Sequence, residues 1–331
     1  MDAQIIPLTL AWQEAVVALY NRLHAASPLP YGKEMPADFV QQRLLRSSLW
    51  SSDCSRLLID CSGQLRAVVL ANHRRNPGLQ QNESMLLHWL GVEPEWQRKG
   101  WARQLLQELF FLAQREQQTV LQSALQWSGI WPGVPQGLLA MEQFVEQTAG
   151  SWQTGELFLQ CTPAEVLGRM ATRKANTDKN ISIILYESRH QQAVQRLLQE
   201  HFSIGWQHEL LSRIDPHYDP FNGYGLATTY NAAHPGKDLL LVVAEQEIIG
   251  FCALHTEKRE LAFFGPIGLH PAWRQQGIGT DLWQAALRQA DAAGCQKLGL
   301  WTSLPIAQGF YLPLGMEISH SSRHACWSVP Q

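Results

Sequence analysis

The 331 residues are 45% hydrophobic and 17% charged, and Lys plus Arg (26) nearly balances Asp plus Glu (29), leaving a formal charge of −3. At roughly 100–200 residues per domain this is enough chain for two domains, and the apolar share excludes wholesale disorder. A phosphate-backbone binder would carry a clustered basic excess, so nucleic acid is excluded as an expected partner.

The opening Met1-Asp2-Ala3-Gln4 has no basic or long apolar segment, and Leu239–Ala244 falls far short of the ~18 apolar residues a membrane span needs. The expectation is a cytoplasmic chain that engages no membrane. Cys54, Cys61, Cys161, Cys252, Cys295 and Cys326 are scattered without a CxxC pair, which predicts reduced thiols and no metal site.

In chain order, the pattern predicts a strand at Ile5, a helix from Trp12, hairpin strands near Leu57 and Val68 and a strand through Leu90. A helix through Leu105–Ala113 and a strand near Leu121 follow. The polar stretch Thr162–Asn180 reads as a connection. Beyond it come a strand at Ile181–Tyr186, a helix at His190–Phe202, a hairpin of Leu239–Ala244 with Ile248–His255, and a strand at Leu261–Leu269 closed by Pro271. Leu282, Ala286 and Ala290 are spaced for a helix that Gly294 ends; a strand at Lys297–Thr302 and a proline-started helix at Pro305–Leu312 complete the series.

The two series are one series repeated. At a constant offset of 177 residues, Gly91, Pro94, Trp96, Gly100, Leu105, Gln107 and Ala113 recur as Gly268, Pro271, Trp273, Gly277, Leu282, Gln284 and Ala290. Seven identities in register imply a duplicated domain. The expected boundaries are 1–160 for the first copy, 161–180 for the linker and 181–331 for the second copy.

In the second copy Arg274-Gln275-Gln276-Gly277-Ile278-Gly279-Thr280 joins a strand to a helix. Glycines there let backbone N–H groups converge at the positive end of the helix, as an anion receptor requires. By itself such a turn reads equally as a tight connection that binds nothing. It is neither a Walker loop nor a Rossmann turn.

The turn, the preceding Gly265-Pro266-Ile267-Gly268-Leu269-His270-Pro271 and the downstream Phe310-Tyr311-Leu312-Pro313-Leu314-Gly315 together resemble the GNAT superfamily of N-acetyltransferases. The resemblance covers most of 181–331 and extends, through the repeat, more loosely to 1–160. It implies an α/β (α+β) fold of two tandem GNAT-like domains, each a mixed sheet flanked by helices and splayed between its fourth and fifth strands. Acetyl-CoA would lie in the split. The amides of Gln275–Thr280 (Gln275, Gln276, Gly277, Ile278, Gly279, Thr280), after Arg274, would hold its pyrophosphate. The backbone of Ile267, Gly268 and Leu269 would hold its pantetheine arm, and the Leu269 N–H would polarise the thioester carbonyl. Tyr311 matches the position that protonates the departing thiolate; the alternative is an ordinary core aromatic.

His255, His270, Glu257 and Glu260 are candidate bases, and Trp301 and Thr302 either line the acetyl pocket or pack the core. Aligning Phe144 with Phe310 puts Val145 where Tyr311 stands, so the first copy is expected to be non-catalytic; its Gln97-Arg98-Lys99-Gly100 turn leaves it either structural or cofactor-binding, with Arg98 and Lys99 either meeting a CoA phosphate or simply solvated. Asp215–Tyr224 is either an acceptor wall or a surface loop. The expected activity is acetyl transfer from acetyl-CoA to a small-molecule amine, in a monomer or homodimer. An acyl-CoA-binding scaffold and an acyltransferase acting on a peptide or protein amine are the alternatives.

Overall fold

A computed structural model describes residues 3–25, 54–73, 84–123, 133–171, 180–215, 238–256 and 259–330. Glu257 and all of the Asp215–Tyr224 segment except Asp215 lie outside the described residues.

The first copy begins with Ala3–Pro7 (β1), Gln13–Ala25 (α1), Arg56–Asp60 (β2), Leu65–His73 (β3) and Ser84–Val92 (β4). These four strands pair antiparallel in sequence order. Trp101–Arg115 (α2) then carries the chain to Val120–Ser123 (β5), which pairs parallel to β4. A parallel neighbour requires such a crossover. Side-chain alternation along β3 divides the core into two layers. Ala67, Val69 and Ala71 meet Leu105, Leu109 and Leu112 of α2, while Val68 and Leu70 meet Val16, Leu19 and Tyr20 of α1. Val134–Pro135 (β6) and Leu139–Gln147 (α3) follow, and α3 packs Phe144 and Val145 into the α2 layer.

The next elements are Ser151–Cys161 (β7) and Pro163–Met170 (α4). The helix α4 falls inside the stretch read as a connection; residues 172–179 lie outside the described ones. The second copy has Ile181–Leu185 (β8), Gln191–His201 (α5), Ile204–Ile214 (α6), Leu239–Ala244 (β9), Glu247–His255 (β10), Ala262–Leu269 (β11), Ile278–Ala292 (α7), Leu298–Thr302 (β12) and Glu317–Ser328 (β13). Again four antiparallel strands are followed by a parallel fifth. On one face Leu282, Trp283, Ala286 and Leu287 of α7 cover Leu240, Val242, Cys252 and Leu254. On the other, Val194, Leu197 and Leu198 of α5 cover Leu241, Phe251 and Ala253.

The described residues form two compact units that do not coincide with the two halves of the sequence. The first unit gathers the residues up to Gly155 together with Ser322–Pro330, and the second those from Glu156 to Ser321. In the second unit, Leu157–Cys161 of β7 pair antiparallel with β12, from Leu157↔Thr302 to Cys161↔Leu298. In the first, Ser322–Ser328 of β13 pair with β6 and β5, including Cys326↔Gln122 and Ser328↔Val120. The sixth strand of each sheet thus comes from the other repeat. The orders are β1-β2-β3-β4-β5-β13 and β8-β9-β10-β11-β12-β7.

The mixed sheet of the second unit opens beside its fifth strand. β11 and β12 pair only at Ala262↔Leu298 and Phe263↔Gly299, although they run on to Leu269 and Thr302. In the first unit the β4–β5 ladder runs to Leu87↔Ser123, where the described part of β5 also ends.

Candidate functional site

The strand, turn and helix beside the split repeat with the 177-residue offset intact. Pro94–Trp96 and Pro271–Trp273 are both single 3₁₀ turns, and α2 and α7 begin and end at equivalent residues. Gly100 and Gly277 precede the helices at φ of 86° and 82°. Arg98 and Gln275, two residues earlier, have φ of 57° and 61°. Left-handed geometry at two nearby positions turns successive N–H groups to one side, and a side chain with a Cβ is strained at such φ values.

In the second unit, Thr280 and Asp281 donate to the Gly277 carbonyl at 3.0 and 3.2 Å. Among the described residues the N–H groups of Gly277, Ile278 and Gly279 have no backbone partner, because they precede the first complete turn of α7. Arg274 Nε donates to the Leu269 carbonyl at 3.0 Å, which ties the start of the turn to the end of β11. Gln97 Nε2 makes the equivalent bond to the Val92 carbonyl at 2.9 Å. Gln276 Nε2 donates to the Ala272 carbonyl at 3.0 Å.

Backbone direction along β11 follows from the ladder. The His270 N–H donates to the Ile249 carbonyl at 2.7 Å, which makes Gly250–Leu269 a non-hydrogen-bonded pair. The Leu269 N–H therefore points away from β10, to the open side. Ile267, opposite Cys252, has the same parity and faces the same way; Gly268, opposite Phe251, turns its backbone to β10. A Cβ on Gly268 would stand 2.5 Å from the Phe202 ring and 2.8 Å from Phe251, so this position is closed to any side chain. An unpaired amide cluster beside two outward-facing strand residues fits an elongated ligand with an anionic head and an amide-bearing arm, as acetyl-CoA is.

Phe310 and Tyr311 lie on a π-helical turn, Ala307–Tyr311. A Cβ on Gly279 would meet the Phe310 ring at 3.3 Å and Leu269 Cδ1 at 3.7 Å, so turn, strand end and aromatic pair converge. Tyr311 itself is buried, its ring 5.9 Å from Phe264, 6.1 Å from Trp283 and 4.9 Å from Phe310. Burial raises its phenol well above the ordinary value, with the neighbouring Cys252 adding to the rise.

The candidate bases are dispersed. His270 is engaged as a cap: its Nδ1 accepts from the Ala272 N–H at 3.1 Å, and its ring lies 4.1 Å from that of His201. His255 ends β10 opposite Phe263, in the last row before the split, and Glu260 is exposed ahead of β11. Trp301 packs 5.0 Å from Phe158 of β7, and Thr302 is buried.

Glu156 is a titratable group that the sequence reading passed over. It lies next to the Leu157↔Thr302 pair, at the end of β12 that has left β11, and burial pushes its carboxyl up to about 7 from 4.5. Between these pH values the folded state retains a proton that the unfolded chain has released, so stability falls as pH rises from about 4.5 to 7. At ~1.4 kcal/mol per unit the loss is about 3 kcal/mol. Denaturant titrations at pH 5 and 8 should show this slope in the wild type and its removal in Glu156→Gln; parallel curves would refute the shift.

Comparison with known proteins follows the same lines. Residues 192–316 match the acetyltransferase (GNAT) family. No curated protein matches the chain significantly. Among solved structures, a glucosamine N-acetyltransferase region of a fungal multi-domain GH3 β-N-acetylglucosaminidase aligns at TM-score 0.72 and 15% identity, over 98% of this chain and 38% of that one. A tandem GNAT protein from the clavulanic acid biosynthesis pathway aligns at 0.69 and 14%, over 100% and 99%. A GCN5-related N-acetyltransferase from Sphaerobacter thermophilus aligns at 0.65 and 15%, over 99% and 96%. At such identities the likeness is one of fold.

Proposed function

With residues 192–316 forming a domain of the GNAT acetyltransferase family, we propose that the second unit transfers an acetyl group from acetyl-CoA to the amine of a small molecule. The observation that carries this reading is the unpaired amide cluster at Gly277–Gly279, set beside the opening between β11 and β12.

When bound, acetyl-CoA supplies an activated acyl group on sulfur. A C–N bond forms as the C–S bond breaks, and the amine gives up one proton while the sulfur gains one. The turn amides and the helix end bind the diphosphate, and the outward backbone of Ile267 and Leu269 aligns the arm. The Leu269 N–H is the donor for the carbonyl oxygen as charge gathers there. Tyr311 holds its proton at Oη for the departing sulfur. Glu156, titrating near neutrality, has a proton affinity suited to relieving an ammonium of its proton. Val145, a buried residue of α3, offers no equivalent of Tyr311, so this chemistry is assigned to the second unit.

Six cysteines without a disulfide fit a reducing compartment, and the cytoplasm is the proposed location. Among the described residues no helix is long and apolar enough to cross a membrane. The direct test is acetyl-CoA-dependent thiol release across a panel of small amines and aminoacyl compounds. Turnover with at least one small amine is expected; turnover only with peptide or protein amines, or none with any acceptor, would overturn the assignment.

A further inference from the structure

The two faces of the second unit's sheet differ in kind. Leu159, Phe264, Leu300 and Tyr311 belong to the aliphatic layer under α7. Alternation along each strand turns the intervening residues to the opposite face. On that face His255 of β10 is opposite Phe263 of β11, and Trp301 of β12 is opposite Phe158 of β7.

The sequence makes room there for a group of rings. A Cβ on Gly299 would stand 2.5 Å from the Phe158 ring, so the glycine leaves the space that the ring fills. Phe158 is 1% exposed, with the Phe263 ring 6.0 Å away and the Trp301 ring 5.0 Å away, tilted to it by 55° and 52°. It is the buried centre of an aromatic group whose outer members, Phe263 and Trp301, are partly exposed.

This group borders the opening. Phe263↔Gly299 is the last pair between β11 and β12, and Trp301 lies two residues beyond it. Glu156 lies two residues from Phe158 and shares its face, beside the Leu157↔Thr302 pair. Two residues of strand span roughly 6–7 Å, which a ring and a two-carbon chain ending in nitrogen can cover. On the β11 side, Arg213 Nη2 donates to the Gly265 carbonyl at 2.9 Å and brings a positive charge to the same region.

A guest entering from the face away from Tyr311 meets rings and then a carboxyl. Rings favour another ring or a cation, and the carboxyl favours an ammonium. Sugar hydroxyls would give up water against ring faces that return no hydrogen bond. A second ammonium would meet the Arg213 guanidinium. Resting on the acetyl-transfer reading of this unit, we propose that its acceptor is a monoamine joined by a short chain to an aromatic body. The ring lies against Trp301 and Phe263, and the nitrogen lies beside Glu156.

Kinetics with matched amines tests this. At saturating acetyl-CoA, kcat/KM for 2-phenylethylamine should exceed that for ethanolamine by about 10–100-fold, the scale of burying one ring. It should also exceed the values for glucosamine and spermidine. Trp301→Ala should cut the ratio of 2-phenylethylamine to ethanolamine by about tenfold, and Trp301→Phe should restore most of it. Phe263→Leu takes the place of Trp301→Ala if a melting curve shows that variant unfolded. In calorimetry with CoA present, Glu156→Gln should weaken 2-phenylethylamine by about tenfold, the scale of a charged hydrogen bond. It should leave 2-phenylethanol, which keeps the ring and lacks the charge, unaffected. Turnover without preference for the ring, or a ratio unmoved by the ring variants, overturns the proposal and leaves acetyl transfer standing. So does a preference for glucosamine or spermidine. No turnover with any amine overturns the acetyl-transfer reading, and calorimetry then judges the site by itself. Tighter binding of 2-phenylethylamine than of ethanolamine, lost in Trp301→Ala, would support it; equal binding would refute it.

Discussion

Replacing Tyr311 with phenylalanine is expected to lower kcat by about 10²–10⁴ while CoA affinity changes little. The substitution deletes one hydroxyl and keeps a ring packed against Phe264, Trp283 and Phe310, so the fold should persist. An acid with a raised pKa keeps its proton in the resting enzyme. The same lack of water raises the proton affinity of a departing thiolate, so the two groups are brought closer together as charge develops on sulfur. Steady-state kinetics in both enzymes, with a melting curve to certify folding, decides the matter. Unchanged turnover would make Tyr311 a core aromatic and nothing more.

The second large effect belongs to the turn. Gly277→Val is expected to weaken CoA binding at the second unit by at least about 10²-fold. An L-residue at left-handed φ costs roughly 1–2 kcal/mol, and more when β-branched, which alone approaches or exceeds tenfold. Relief of that strain rotates the peptide and disperses the amides of 277–279, so the anion loses its donors as well. Isothermal titration against the wild type measures the loss. CoA bound at wild-type affinity would mean that the diphosphate is held elsewhere.

The glycine turn was readable from sequence because few residue types tolerate its backbone, and the repeat made the same constraint visible twice. The split beside the fifth strand came through the family resemblance, and the ladder ending at Phe263↔Gly299 agrees with it. The helix at Ile204–Ile214 was missed: Gly205 and Ser212 interrupt its pattern, and its apolar residues Leu210, Leu211 and Ile214 are crowded at its end. Glu156 gave no signal, because its burial depends on which strand lies alongside. Ser151–Cys161 and Glu317–Ser328 lack a clean period-two alternation, so neither announces itself as a strand, and nothing in either names the strand it pairs with.

That partner choice governs how the polypeptide can mature. The first sheet waits for its last ladder until residues 322–328 have emerged from the ribosome, long after β5 has been made. Through the synthesis of some two hundred intervening residues, the outer edge of β5 is a bare template for any passing strand. A coding sequence interrupted between the repeats would leave each fragment its own glycine turn and deprive each of the strand that finishes its sheet.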